Sequence, residues 1–166
     1  MAKEKTRHRS LADPADLAPL DEDGRIQVVI ETPKGSRNKY AFDHDQRVFA
    51  LTRVFPAGMA FPYDFGFVPS TKAEDGDPTD VLVLMDEQAF PGCLLRCRII
   101  GVIEGLHGKK KNGERNDRLI AIEEANHSFA HVRHVNELWR EIPPGAGGIF
   151  RQLSRVAGQK VQNSRR

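Results

Sequence analysis

Residues 74–86 read Glu74-Asp75-Gly76-Asp77-Pro78-Thr79-Asp80-Val81-Leu82-Val83-Leu84-Met85-Asp86, an acidic loop that runs directly into an apolar stretch. Gly76 permits a turn dihedral that other residues avoid. Pro78 fixes its own φ and biases Asp77 toward an extended conformation, so the loop is shaped rather than loose. Val81 to Leu84 reads as a buried strand, which holds Asp80 at its mouth with Asp75 and Asp77 just before it. Carboxylates crowded at the root of a core strand repel one another unless a cation neutralises them or water screens them. Hard divalent ions such as Mg²⁺ take oxygen ligands of this kind while keeping some of their waters. An acidic surface turn is the plainer alternative, because Asp, Gly and Pro are turn residues.

On the N-terminal side of the loop, strands alternate with turns. Ile26 to Glu31 is a strand stopped by Pro33, residues 34–38 form a turn, and Lys39 to Phe42 and Arg47 to Val54 are strands joined by a hairpin loop. Residues 55–69 are rich in Phe, Gly and Pro and read as an irregular segment that closes one end of the core with Phe55, Phe61, Phe65 and Phe67. On the C-terminal side, Pro91-Gly92 marks a turn, Cys93 to Leu106 alternates as a long strand, residues 109–113 form a solvated hairpin tip, and Arg118 to Ile122 pairs back. About six short strands in antiparallel order predict a mainly β, α+β chain built on a closed or nearly closed barrel. Helical material comes late, at residues 123–132, 137–142 and 149–156, interrupted by Pro143-Pro144-Gly145 and Gly147-Gly148.

With 166 residues the chain is the size of one domain with one core. It divides into an N-terminal arm at 1–24, a barrel domain at 25–156 and a basic tail at 157–166 expected to be disordered. The net charge of +2 is too small to imply a nucleic-acid partner. A nucleic-acid-binding barrel using Lys109 to Lys111 and the tail is a weak alternative, since no aromatic residues lie among those lysines. No stretch approaches the roughly 18 apolar residues of a membrane span, and the first residues lack the apolar core of a signal peptide, so a cytoplasmic protein with no membrane partner is expected. Cys93 and Cys97 fall on one strand face too far apart to bridge, and are expected to be reduced.

The motif Asp75-Gly76-Asp77-Pro78-Thr79-Asp80-Val81 resembles the signature of the soluble, Mg²⁺-dependent inorganic pyrophosphatases. The likeness extends through Val29-Ile30-Glu31-Thr32-Pro33, Gly35 to Tyr40, Arg53, Phe61 to Phe67, Arg118 to Ile122 and His131 to Leu138, roughly residues 26 to 153. It implies a small five-stranded OB-like barrel flanked by short helices, a homo-oligomer that is often hexameric in bacteria, and hydrolysis of pyrophosphate to two phosphates. It also implies Asp75 and Asp80 as ligands of Mg²⁺ (Mn²⁺ or Zn²⁺ as alternatives), Asp77 as a further metal-site residue and the carboxylate that takes the proton of the attacking water, Glu31 as an outer carboxylate of the metal cluster, and Lys39 and Arg53 as phosphate ligands.

The chain departs from the family pattern opposite the acidic loop. Lys111-Asn112 and Asn116 stand where carboxylates are usual, and Ala41, Phe61, Phe65, Leu153-Ser154 and Arg118 replace Glu, Tyr, Tyr, Tyr-Lys and Lys. Asp117 or Glu114 is a candidate to restore a lost ligand, Asp117 by a one-residue bulge. The alternative is a protein of this fold with little or no diphosphatase activity that acts on another phosphate compound or binds a metal or anion.

Overall fold

The structure, a computed structural model, describes residues 13–104, 106–107 and 114–141. Their elements are β1 (Ile26–Thr32), β2 (Asn38–Asp43), β3 (Val48–Val54), β4 (Asp64–Val68), β5 (Thr79–Leu84), β6 (Leu94–Ile103), β7 (Leu106–His107), β8 (Glu114–Arg115), β9 (Arg118–Glu123) and α1 (Val135–Glu141). Five strands close into a barrel in the order β1-β4-β5-β9-β6, while β2 and β3 form a separate hairpin and β7 and β8 another. The expected mainly β fold with a closed five-stranded barrel is what the chain forms.

The barrel has two packed faces because side chains alternate along each strand. Val28 and Ile30, Val68, Val81 and Val83, Leu95 and Cys97, and Ala121 form one buried cluster that draws on all five strands and fills the interior. Leu82, Leu84, Ile120 and Ile122 belong to a second cluster on the outer wall, where Val132 and Leu138 of α1 and its approach cover them. Glu137 fixes the start of α1 by reaching back to accept the backbone N–H groups of Arg133 and His134 at 2.6 and 3.3 Å. The helix lies close to β6, since a Cβ on Gly101 would fall 2.8 Å from the Val135 Cβ.

Two expectations about the strands are corrected. Residues 55–69 are not wholly irregular, because Asp64–Val68 is a fully buried barrel strand between β1 and β5. Gly66 makes this possible: a Cβ there would lie 2.0 Å from the Val29 carbonyl oxygen, so only glycine lets the two backbones meet. Nor is the order purely antiparallel, since β5 and β9 pair in parallel, with Val81 opposite Leu119, and this pair completes the barrel wall.

The stretch expected to be helical at 123–132 is a series of turns instead. The side chain of Asn126 accepts from the Phe129 N–H, and the carboxylate of Asp86 accepts from the N–H groups of His127 and Ser128, so side chains satisfy backbone donors that a helix would have used. Within the expected arm, residues 13–24 lie against the barrel: Ala15 and Leu17 pack on the cluster of Val29, Phe42 and Phe67, and the Ser70 N–H donates to the Ala15 carbonyl. The expected tail, the run 143–148 and the last candidate helix lie outside the described residues.

Candidate functional site

The acidic loop is held by its own atoms. Asp75 Oδ1 accepts the Asp77 N–H at 3.2 Å, the Ala73 N–H donates to the Asp77 carbonyl at 2.7 Å, and Gly76 turns the chain with φ of 93°. Thr71 anchors the loop's exit by accepting the Thr79 N–H at 3.0 Å while donating to the Val68 carbonyl at 2.6 Å. Asp80 is the second residue of β5 and alternates with Leu82 and Leu84, which places it on the outer wall.

A second device brings Glu31 to the same place. In the pairing of β1 with β4, Ile30 faces Gly66 and Thr32 faces Phe65, so Glu31 is the extra residue of a bulge. A bulge re-aims its side chain. The Glu31 carboxylate accepts the backbone N–H of Phe42 at 2.8 Å, and Thr32 Oγ1 both accepts the Tyr40 N–H and donates to the Tyr40 carbonyl. The hairpin of β2 and β3 is thereby fastened over the outer wall.

Between hairpin and wall lies a cleft of about 290 Å³ lined by Glu31, Lys39, Asp77, Asp80, Asn116 and Arg118, with Ala41, Phe42, His44, Phe65, Phe67 and Pro78 completing it. The site is therefore on the outside of the barrel, not in its interior. Lys39 points into it with its Nζ 6.0 Å over the Phe65 ring. Arg118 Nε lies 3.3 Å from Asp80 Oδ2. Asn116 donates from Nδ2 to Asp75 Oδ2 at 2.8 Å.

Two of the carboxylates resist ionisation. Burial pushes Glu31 up from 4.5 to about 7, with Asp80 and Asp77 adding repulsion, against the Phe42 N–H and the charge of Lys39. Burial likewise pushes Asp80 up from 3.8 to about 6, assisted by Asp75 and Asp77 and opposed by Arg118 and Lys39. Desolvation outweighs even the guanidinium in contact with Asp80.

Of the residues expected from sequence, Glu31, Lys39, Asp77 and Asp80 line the cleft, and Asp75 joins them through Asn116. Arg53 is exposed on β3, directly across the ladder from Lys39, and is not among the lining residues. Asp117 is not among them either, and Glu114 lies in β8. Lys111, Asn112, Leu153 and Ser154 lie outside the described residues. His44, Phe42 and Phe67 line the cleft without having been singled out as site residues. His44 packs edge-on against Phe42 at 5.1 Å, and its position at the hairpin tip is the one signal that could have drawn attention to it.

Among the described residues, no three His, Cys, Asp or Glu side chains are close enough together to form a ready-made metal cage. The donor set nonetheless fits a hard divalent cation. Glu31, Asp77 and Asp80 are oxygen ligands around one polar cleft, Asp75 joins it through Asn116, and Glu31 and Asp80 are held up by burial and by mutual repulsion that a cation relieves.

The profile of the family described as inorganic pyrophosphatase matches residues 28–162. The chain is 43% identical over 115 residues to an inorganic pyrophosphatase of Synechocystis sp., and 44% identical over 115 residues to that of a Nostoc sp.; each alignment covers 69% of this chain and 66% of the relative. The chain thus spans just under two thirds of the length of those relatives. Its fold is similar to the crystal structure of the inorganic pyrophosphatase from Thermus thermophilus, with a TM-score of 0.71 and 31% identity over 92% of this chain and 88% of that one.

Proposed function

The chain belongs to the inorganic pyrophosphatase family, and from that membership we propose that it hydrolyses pyrophosphate to two phosphates with a divalent cation, Mg²⁺ foremost. The observation that carries this reading is the meeting of Glu31, Asp77 and Asp80 with Lys39 and Arg118 in one cleft. Carboxylates alone would repel a polyanion, and cations alone would bind it without activating water.

Each side chain then has a task. Asp77, on the exposed lip of the loop, is placed to take a proton from a water attacking phosphorus. Lys39 and Arg118 hold phosphoryl oxygens and offset their charge, with Arg53, directly across the ladder from Lys39, adding a longer-range attraction. Asp80, Asp75 and Glu31 would hold the ion, which when bound supplies Lewis acidity and lowers the pKa of its water. Phe42, Phe65 and Phe67 put apolar rings along one side of the cleft, which limits the screening of the charges inside it.

The reading extends to a homo-oligomer, with a hexamer as the size the family resemblance implies. Leu94, Ile99 and Val102 of β6 stay 43–48% exposed, apolar surface that a second copy would cover. Light scattering during gel filtration measures the assembly. No helix among the described residues is long and apolar enough to cross a membrane, and the reading places the protein in the cytoplasm, which cell fractionation tests.

The activity itself is tested by phosphate release from pyrophosphate with Mg²⁺ and after chelation. Release that depends on the ion supports the reading. Release equal to the uncatalysed background with Mg²⁺, Mn²⁺ and Zn²⁺ alike overturns it.

A further inference from the structure

The wall facing the acidic loop carries donors where an ion site needs acceptors. Arg118, the first residue of β9, sets its Nε 3.3 Å from Asp80 Oδ2, with the two side chains only 13% and 24% exposed. Two residues earlier, Asn116 donates to Asp75 Oδ2 at 2.8 Å. Both contacts cross between the entrances of β5 and β9, which are parallel neighbours, so the barrel itself keeps these partners opposite each other.

A guanidinium and a divalent ion repel each other, and they do so strongly where burial limits screening by water. Both seek the same oxygens of Asp80. We propose that Arg118 is a resident cation that competes with the divalent ion for Asp80, holding the carboxylate when the ion is absent and giving it up when the ion binds. This rests on the reading of the cleft as a divalent-ion site. Arg118 is then a positioning residue that sets ion affinity through Asp80. Once displaced it remains beside the cleft, which it lines together with Lys39 and His44, and so stays available to an anion. Asn116 acts in the same sense on Asp75 but more weakly, because an amide is neutral and can turn its oxygen toward an ion.

The test is Mn²⁺ binding to the full chain, followed by the electron paramagnetic resonance of free Mn²⁺ at about pH 8.5, where the carboxylates are ionised. Arg118→Met, which keeps length and removes charge, is expected to bind Mn²⁺ about tenfold more tightly or better, and Arg118→Lys to stay near wild type. A residue with only a structural role would not tighten ion binding when removed. Equal or weaker binding by Arg118→Met overturns the competition while leaving the ion site in place. No Mn²⁺ binding by any of the three proteins overturns the ion site and the competition together.

If Arg118→Met does not fold, wild type decides through the Arg118 Nε–H nuclear resonance, identified by its loss in Arg118→Lys. That resonance is expected to move in step with a Mg²⁺ titration. A fixed position while other cleft resonances shift contradicts the competition.

Discussion

Glu31 of β1 accepts the backbone N–H of Phe42 in β2 at 2.8 Å, so the hairpin is tied to the barrel by a carboxylate that also faces the cleft. One group serves two purposes with opposing demands, since the hydrogen bond favours its charge and its burial opposes it. Glu31→Gln keeps an acceptor for the N–H and removes the buried charge. In chelator at about pH 8 this variant is expected to melt at a higher temperature than wild type. Glu31→Ala leaves the N–H unpaired and is expected to be less stable than Glu31→Gln by about 1–3 kcal/mol. Equal melting temperatures for all three proteins would contradict the dual role.

The same carboxylates set a pH dependence. Glu31 is raised from 4.5 to about 7 and Asp80 from 3.8 to about 6, so the folded chain binds protons more tightly than the unfolded one across that range. Their contribution to stability is therefore complete below the unfolded values and is lost as pH rises through about 6 and then about 7. In chelator, the stability of Glu31→Gln relative to wild type is expected to grow over this window. Saturating Mg²⁺ is expected to shrink the difference, because the ion stabilises the ionised site. Urea titrations at a series of pH values, with and without the ion, give the sign directly.

Gly66 offers a test of the fold that leaves the chemistry untouched. A Cβ there meets the Val29 carbonyl oxygen at 2.0 Å, and backbone on both sides cannot yield without parting β1 from β4. Gly66→Ala is expected to cost more than about 3 kcal/mol or to leave the protein insoluble. A denaturation midpoint within error of wild type would mean that the two strands are not packed this closely.

The two cations on the hairpin are expected to differ in weight. Lys39 lines the cleft, whereas Arg53 is its exposed neighbour across the ladder. Lys39→Met is expected to lower kcat/KM for pyrophosphate about 100-fold. Arg53→Met is expected to lower it less than about tenfold and to lose that effect at high salt, as a longer-range attraction should. A larger loss from Arg53 would place it in direct contact with substrate.

Much of this was legible in the chain, and for physical reasons. Val81 to Leu84 is a continuous apolar run bounded by turn residues, and Gly76 and Pro78 constrain the loop before it, so local chemistry alone placed Asp80 at a strand mouth. Asp64–Val68 was not legible as a strand. What permits it is Gly66 lying against Val29, a contact between segments about 37 residues apart that no local pattern reveals. The bulge that aims Glu31 and the parallel pairing of β5 with β9 are likewise products of register rather than of composition. The replacement of a carboxylate by Asn116 could be read in the sequence. That Asn116 donates to Asp75, and that Arg118 forms an ion pair with Asp80, became visible only when the two strand entrances were brought side by side.

In the proposed reaction, the acidic loop of this chain activates the water that attacks pyrophosphate. The most direct measurement is phosphate release at defined protein concentration with saturating Mg²⁺, comparing wild type with Asp77→Asn, which preserves the size of the side chain and removes its basicity. Wild type is expected to exceed the variant by at least about 100-fold. Equal rates from the two proteins would contradict the claim.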